Sequence, residues 1–264
     1  MDKVIVVGAS GHAKLIIDIL ELNGQTQIVG LVDSFRPIGY SMMNYTVLGT
    51  EEDLPSLVES HWIDGVVVAI GDNFVRFRMV KRIQALCPEL TFVSVVHPHA
   101  VIARSVVIGV GSVVMAGACV NAGAKIGQHC IVNTKASLAH DAVLEDFASL
   151  APGVTTGGNC RIGQFTAVGI GATLIHGVSV GAHSVIGAGA LVLQPVHSHT
   201  VAYGSPARVI RQRQEGDAVD RHERSESRRM GVQYNTAEGQ FNPPNFLGKS
   251  LLGHIGERLN TANL

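Results

Sequence analysis

Residues 108–132 read IGVGSVVMAGACVNAGAKIGQHCIV, and the spacing inside this stretch decides the fold. An aliphatic residue stands at every sixth position, Ile108, Val114, Val120, Ile126 and Val132, and a small one follows four places later at Ser112, Ala118, Ala124 and Cys130. The series reaches back to Ile102 and forward through Leu138, Leu144, Leu150, Ile162, Val168, Leu174, Val180, Ile186 and Val192, broken only by Thr156. A period of six matches neither the turn of an α-helix nor the alternation of a strand. It suits a coil of short flat strands joined by tight corners, three hexads closing one triangular turn. Residues 102–192 therefore predict about five turns, stacked at the usual strand spacing of ~4.8 Å. The aliphatic residue points into the prism and the small one fills the inner corner. Glycine directly after the aliphatic position, as at Gly109, Gly127, Gly163, Gly169, Gly181 and Gly187, is expected to let the backbone turn.

The repeat accounts for much of the 30 glycines in 264 residues, and for an aromatic content of only 5%, since large rings do not fit a narrow prism. Twenty basic residues against 21 acidic ones leave a net charge of −1, which excludes a global positive field for nucleic acid or an anionic membrane. With 46% hydrophobic and 16% charged residues the chain is not mostly disordered, and no apolar run approaches the ~20 residues of a membrane span. Met1-Asp2-Lys3 leads straight into an apolar run, without the parts of a signal peptide, so a soluble, cytoplasmic protein is expected. The four cysteines have no CxxC spacing, and core packing is the expected role of Cys119, Cys130 and Cys160.

Ahead of the repeat, strands over 3–7, 28–32, 65–70 and 91–96 alternate with helices over 12–22 and 74–86, which predicts a small parallel, Rossmann-like α/β sheet. The expected organisation is an α/β domain over 1–97, a β-helix over 98–212 and a disordered tail over 213–264, with one short helix near 249–259. Gly8-Ala-Ser-Gly-His12 lies between a strand and a helix, where free N–H groups and the helix dipole attract phosphate. The same loop would also serve as a tight turn with no ligand. Asp33 ends the next strand, where a carboxylate can accept from a ribose hydroxyl, and Gly71-Asp72-Asn73 ends the third. The three strand ends together point to a nucleotide or nucleotide-sugar.

On the prism, His140 occupies an outward corner beside Asp141, an arrangement suited to a general base, although a solvated corner histidine is the plain alternative. His176 shares that corner two turns on, roughly 10 Å away. The pair invites a zinc reading, but no third ligand is in register, because His183 faces a different part of its turn. A backbone N–H near Gly158, one turn above His140, is a candidate oxyanion donor.

Gly8-Ala-Ser-Gly-His12, Ala69-Ile-Gly-Asp-Asn73 with Arg76, His97-Pro98, Asn133-Thr134, His140-Asp141, Ala151-Pro-Gly-Val154 and Gly204-Ser-Pro-Ala207 occur in this order. Over residues 1 to about 212 the chain thereby resembles the bacterial sugar acyltransferases, which include sialic acid O-acetyltransferases and UDP-4-amino-sugar N-acetyltransferases. The resemblance implies a left-handed β-helix homotrimer using acetyl-CoA as co-substrate; with no third ligand in register, no bound metal is expected. It implies that Ser10, Gly11, His12 and Asp33, with Gly71 nearby, hold the nucleotide-sugar. It makes His140 the catalytic base and Asp141 its companion, and places Ser149, Ile170 and Ala188 against acetyl-CoA; some relatives carry His at the position of Ser149. The expected reaction is acetyl transfer to the amino group of a nucleotide-linked 4-amino-4,6-dideoxy sugar in surface-glycan synthesis. A sugar hydroxyl as acceptor, a zinc-dependent enzyme on the same prism, and a non-catalytic nucleotide-sugar scaffold are the alternatives.

Overall fold

The computed structural model describes residues 2–217. The expected tail beyond residue 217, with its helix near 249–259, lies outside the described residues. The chain begins with β1 (Asp2–Val7), α1 (Gly11–Asn23), β2 (Thr26–Val32), β3 (Ser41–Met42), β4 (Tyr45–Gly49), α2 (Leu54–His61), β5 (Gly65–Val68), α3 (Asn73–Leu86) and β6 (Thr91–Phe92). Their sheet has the order β3-β4-β2-β1-β5-β6 and is parallel apart from the β3–β4 hairpin. Val4 to Val7 of the central strand are at most 1% exposed, as expected of a strand covered on both faces. The sheet grows first to one side of β1 and then to the other, so β1 and β5 flank the point where the strand order reverses, and ligands favour the crevice beyond the carboxyl ends of such strands.

The strand expected over 91–96 is in fact two. Thr91–Phe92 stays in the α/β sheet, whereas Val95–Val96 stacks on Val113–Val114 and opens the coil, one strand before the first recognised hexad. From there two-residue strands recur every six residues to Leu191–Val192, and those up to Thr173–Leu174 pair in parallel with the strand 18 residues on, as in Val113↔Ile131 and Cys119↔Ser137. Three flat sheets result. Leu138, Leu144 and Leu150 point inward with the small residues Ala136, Ala142 and Ala148, all 0% exposed. Thr156 is tolerated in this apolar row because its hydroxyl accepts the Ala139 N–H at 3.0 Å. Cys130 and Cys160 fill inner corners as expected. Cys119 does not; it occupies the outward position of its strand and is half-buried.

The glycines after the aliphatic positions have a different cause from the expected one. A Cβ on Gly109 would lie 2.4 Å from the backbone of Gly127 in the next turn, so these glycines allow turns to stack closely. The chain rounds each corner two residues later, at positions with positive φ such as Gly111, and also at His129, Lys135, Asp141, Phe147, Asn159, Phe165 and His183.

On one corner these left-handed positions carry rings. His129, Phe147, Phe165, His183 and His199 stack in a column with successive centroids 5.0, 5.3, 4.5 and 5.0 Å apart. The column lies outside the prism, and α3 covers it, with Phe77 edge-on to both Phe147 and Phe165. Thr200–Tyr203 extends the first face and pairs antiparallel with Arg208–Gln212. Residues 213–217, expected in the disordered tail, continue the structure: the Arg213 N–H bonds the His199 carbonyl, and Gly216 seats against Phe74.

Candidate functional site

The glycine loop is built by its own strand ends. Gly8 has φ 109°, and a Cβ there would lie 2.9 Å from the Ala69 carbonyl oxygen, so only glycine lets β1 leave the sheet this close to β5. Asp33 Oδ2 accepts the Ala9 N–H at 2.6 Å, while Oδ1 accepts the amides of Phe35 and Arg36. The residue expected to meet a ribose thus also ties the loop to β2. Ser10 precedes α1 without a side-chain cap, and the amides of Ser10, Gly11 and His12 make no hydrogen bond among the described residues. Those free donors suit an anion at a helix N-terminus. A Cβ added to Gly11 or Gly71 would meet nothing within 4 Å, so both border open space.

Behind the loop lies Arg76, for which the sequence suggested no role. Its guanidinium is 2% exposed and donates to the carbonyls of His129, Ile70, Gly71 and Phe147 and to Asn73 Oδ1, at 2.8–3.0 Å. Asn73 in turn donates to the carbonyls of Phe165 and Thr166. Two side chains at the start of α3 therefore stitch the loop after β5 to three successive turns of the coil. All five acceptors of Arg76 are neutral, and burial lowers its pKa to about 10 against smaller opposing pulls from Cys130 and Asp72. Burial, and then this charge, hold the His12 imidazole neutral, with its pKa pushed down to about 4.

The second cluster lies on another corner of the prism. His140 Nδ1 is 2.9 Å from Asp141 Oδ2, both side chains being more than half exposed. On the next turn, a Cβ on Gly158 would lie 2.3 Å from His140 Nε2, so the imidazole lies over a bare backbone. The Gly158 N–H has no partner among the described residues, while its carbonyl accepts from Gly177. A base with a fixed tautomer and an open amide one turn above form the elements of acyl transfer.

Residues 3–83 match the PglD N-terminal domain, and residues 159–194 match the bacterial transferase hexapeptide of six repeats. The chain is 31% identical to the GDP-perosamine N-acetyltransferase of Caulobacter crescentus, solved as a histidine-to-alanine mutant with CoA and GDP-perosamine. The match covers 80% of this chain and 98% of that one, with a TM-score of 0.76. The chain belongs to the bacterial hexapeptide-repeat sugar acetyltransferases.

A second member, the acetyltransferase domain of PglB from Neisseria gonorrhoeae solved with acetyl coenzyme A, is 33% identical over 79% of this chain and 98% of that one, with a TM-score of 0.72. Among curated relatives, the UDP-N-acetylbacillosamine N-acetyltransferase of Bacillus subtilis is 32% identical over 44% of this chain. The chain spans about half the length of that relative (52%) and about a third (36%) of the serine acetyltransferase of Salmonella typhimurium. Family membership makes the coil the left-handed prism that the resemblance implied.

In this acetyltransferase the structure brings Ser10, Gly11, His12, Asp33 and Gly71 to one sheet edge, and His140, Asp141 and Gly158 to one corner. It does not bring the remaining candidates to either cluster. Ser149 sits outward on a flat face, paired with Ala167, and Ile170 and Ala188 occupy successive turns of the corner that follows that face. The α/β layer docks on the third corner, that of Phe147. Among the described residues no helix is long and apolar enough to cross a membrane.

Proposed function

We propose that the chain moves the acetyl group of acetyl-CoA to the amino group of a nucleotide-linked 4-amino-4,6-dideoxy sugar, as a cytoplasmic homotrimer in surface-glycan synthesis. The observation that carries the reading is the His140–Asp141 pair beneath the open Gly158 N–H. Asp141 holds Nδ1–H, so Nε2 is the face that receives a proton. The amine nitrogen attacks the thioester carbonyl, His140 takes its proton, and the Gly158 N–H meets the oxygen on which charge develops. Support comes from the relatives solved with CoA and GDP-perosamine and with acetyl coenzyme A.

Residues 1–97 would hold the nucleotide-sugar, its diphosphate on the amides of Ser10, Gly11 and His12, with Asp33 at the ribose and Gly71 at the open edge. Residues 98–212 would carry the transfer, with the pantetheine arm running past Ser149, Ile170 and Ala188. Those residues and His140 lie on different parts of one protomer, so a trimer, in which the corner of one copy meets a face of the next, completes the site. Incubation with acetyl-CoA and a panel of UDP-, GDP- and dTDP-linked 4-amino sugars, with sialic acid alongside, tests the reading. Release of CoA thiol with an N-acetylated product is expected for an amino sugar; release only with sialic acid, or with none of the panel, overturns it.

A further inference from the structure

His140, Gly158 and His176 occupy the same place on three successive turns of one corner, spaced by 18 residues. Two turns of strand spacing separate the outer pair by roughly 10 Å along the prism. The rings nevertheless lie with centroids 6.0 Å apart, tilted by 43°. They lean toward each other across Gly158, where any side chain would strike His140. Both rings are exposed, and no hydrogen bond joins them.

Resting on the acetyl-transfer reading above, we propose that His176 is a second catalytic residue, the acid that protonates the coenzyme A sulfur as the thioester breaks. The corner then holds the three groups the reaction needs in reaction order: base, oxyanion donor, acid. The amine nitrogen bonds to the carbonyl carbon, and the carbonyl π pair moves to oxygen at the Gly158 N–H. His140 takes the proton from nitrogen. The carbonyl re-forms, the C–S bond breaks with its electron pair going to sulfur, and the His176 imidazolium gives its proton to that sulfur. The proton on His140 then crosses to His176 through water in the place the sulfur has left. The net change is one proton moved from amine to thiol, with no further reactant.

The titratable side chains on this corner are Arg104, Asp141, the inward Cys160 and the two histidines, while Lys125 and Arg161 leave it on the next strands, Arg161 paired with Glu145. Asp141 is bound to His140, which leaves His176 as the group placed to give up a proton above Gly158.

Steady-state kinetics of His176→Gln and His176→Ala across pH 6 to 9, with acetyl-CoA and the amino sugar that the wild type acetylates, test the proposal. A fall in kcat of about 10²-fold is expected, with the KM for acetyl-CoA unchanged and the alkaline limb of the kcat profile lost, because that limb reports deprotonation of the acid. Wild-type kcat in both variants overturns the proposal. So does a raised KM at unchanged kcat, which marks a binding contact, or a reduced kcat that keeps its alkaline limb. Absence of turnover in the wild type overturns the acetyl-transfer reading itself, whereas an active wild type with unaffected variants overturns only the role of His176.

Discussion

His140 and Asp141 are consecutive, yet their side chains meet at 2.9 Å. In an extended strand neighbouring side chains point apart. Asp141 escapes this because it sits at φ 57°, the left-handed corner position, which turns its carboxylate back onto the imidazole. Asp141→Asn keeps a residue that tolerates this conformation and removes the charge that fixes the tautomer. A drop in kcat of about 10²-fold is expected, with the unfolding free energy changed by no more than ~1 kcal/mol because the pair is exposed. Kinetics beside a urea titration check both, and unchanged kcat removes Asp141 from the mechanism.

Gly158→Ala addresses the same corner from above. The added methyl would fall 2.3 Å from His140 Nε2, and a ring end can swing away, so the cost falls on catalysis more than on the fold. The expected result is a kcat loss of about 10²-fold or more, with a near-native melting curve. In a His140→Ala background the same substitution should add almost nothing; a full additional loss there would show that it acts independently of the imidazole.

The two kinds of corner glycine should differ in stability. Gly109→Ala drives a Cβ into the Gly127 backbone at 2.4 Å, which no rotamer relieves, and roughly 3 kcal/mol or more is expected. Gly177 has φ 74° and open space around it, so Gly177→Ala pays only for the left-handed backbone, about 1–2 kcal/mol. Urea unfolding orders them, and equal costs would refute the distinction.

The prism was legible because its period is local: each inward residue repeats at six, and Leu138, Ala142 and Leu144 are buried as that count requires. The parallel α/β sheet was legible in outline, since Gly8, Asp33 and Gly71 mark strand ends. β3, β4 and α2 escaped notice because they are short and carry no clear period. The aromatic column escaped for another reason. Phe147, Phe165 and His183 recur at 18 and sit one residue before the small inner position, a spacing visible in the chain but meaningful only once three hexads close a turn. Arg76 could not be assigned from sequence, because its five acceptors come from residues up to 71 positions away. That His140 faces His176 at 6.0 Å, rather than across the full two turns, depends on side-chain lean that spacing does not encode.

His129, at the foot of the column, contributes to the acid sensitivity of the fold. Its ring stacks under Phe147 and meets Phe92 edge-on, and Nδ1 is buried without a partner among the described residues. Burial, and then the Arg76 charge, push its pKa from 6.5 down to about 4, against a smaller opposing pull from Asp146. The unfolded chain therefore binds more protons between these values. The stability this group contributes is intact above pH 6.5 and is lost as pH falls toward 4, at up to ~1.4 kcal/mol per pH unit. His12 titrates in the same window and adds its own share. His129→Phe continues the stack at a left-handed position that Phe147 and Phe165 already occupy at φ 59°, and it removes both the orphan nitrogen and one proton site. The backbone carbonyl that receives Arg76 stays in place. Urea unfolding at pH 5 and pH 7.5 should show the variant more stable than wild type at pH 5 and the difference between the two pH values reduced, with the part due to His12 remaining. A pH dependence identical to wild type would mean that His129 is not held neutral in the folded protein.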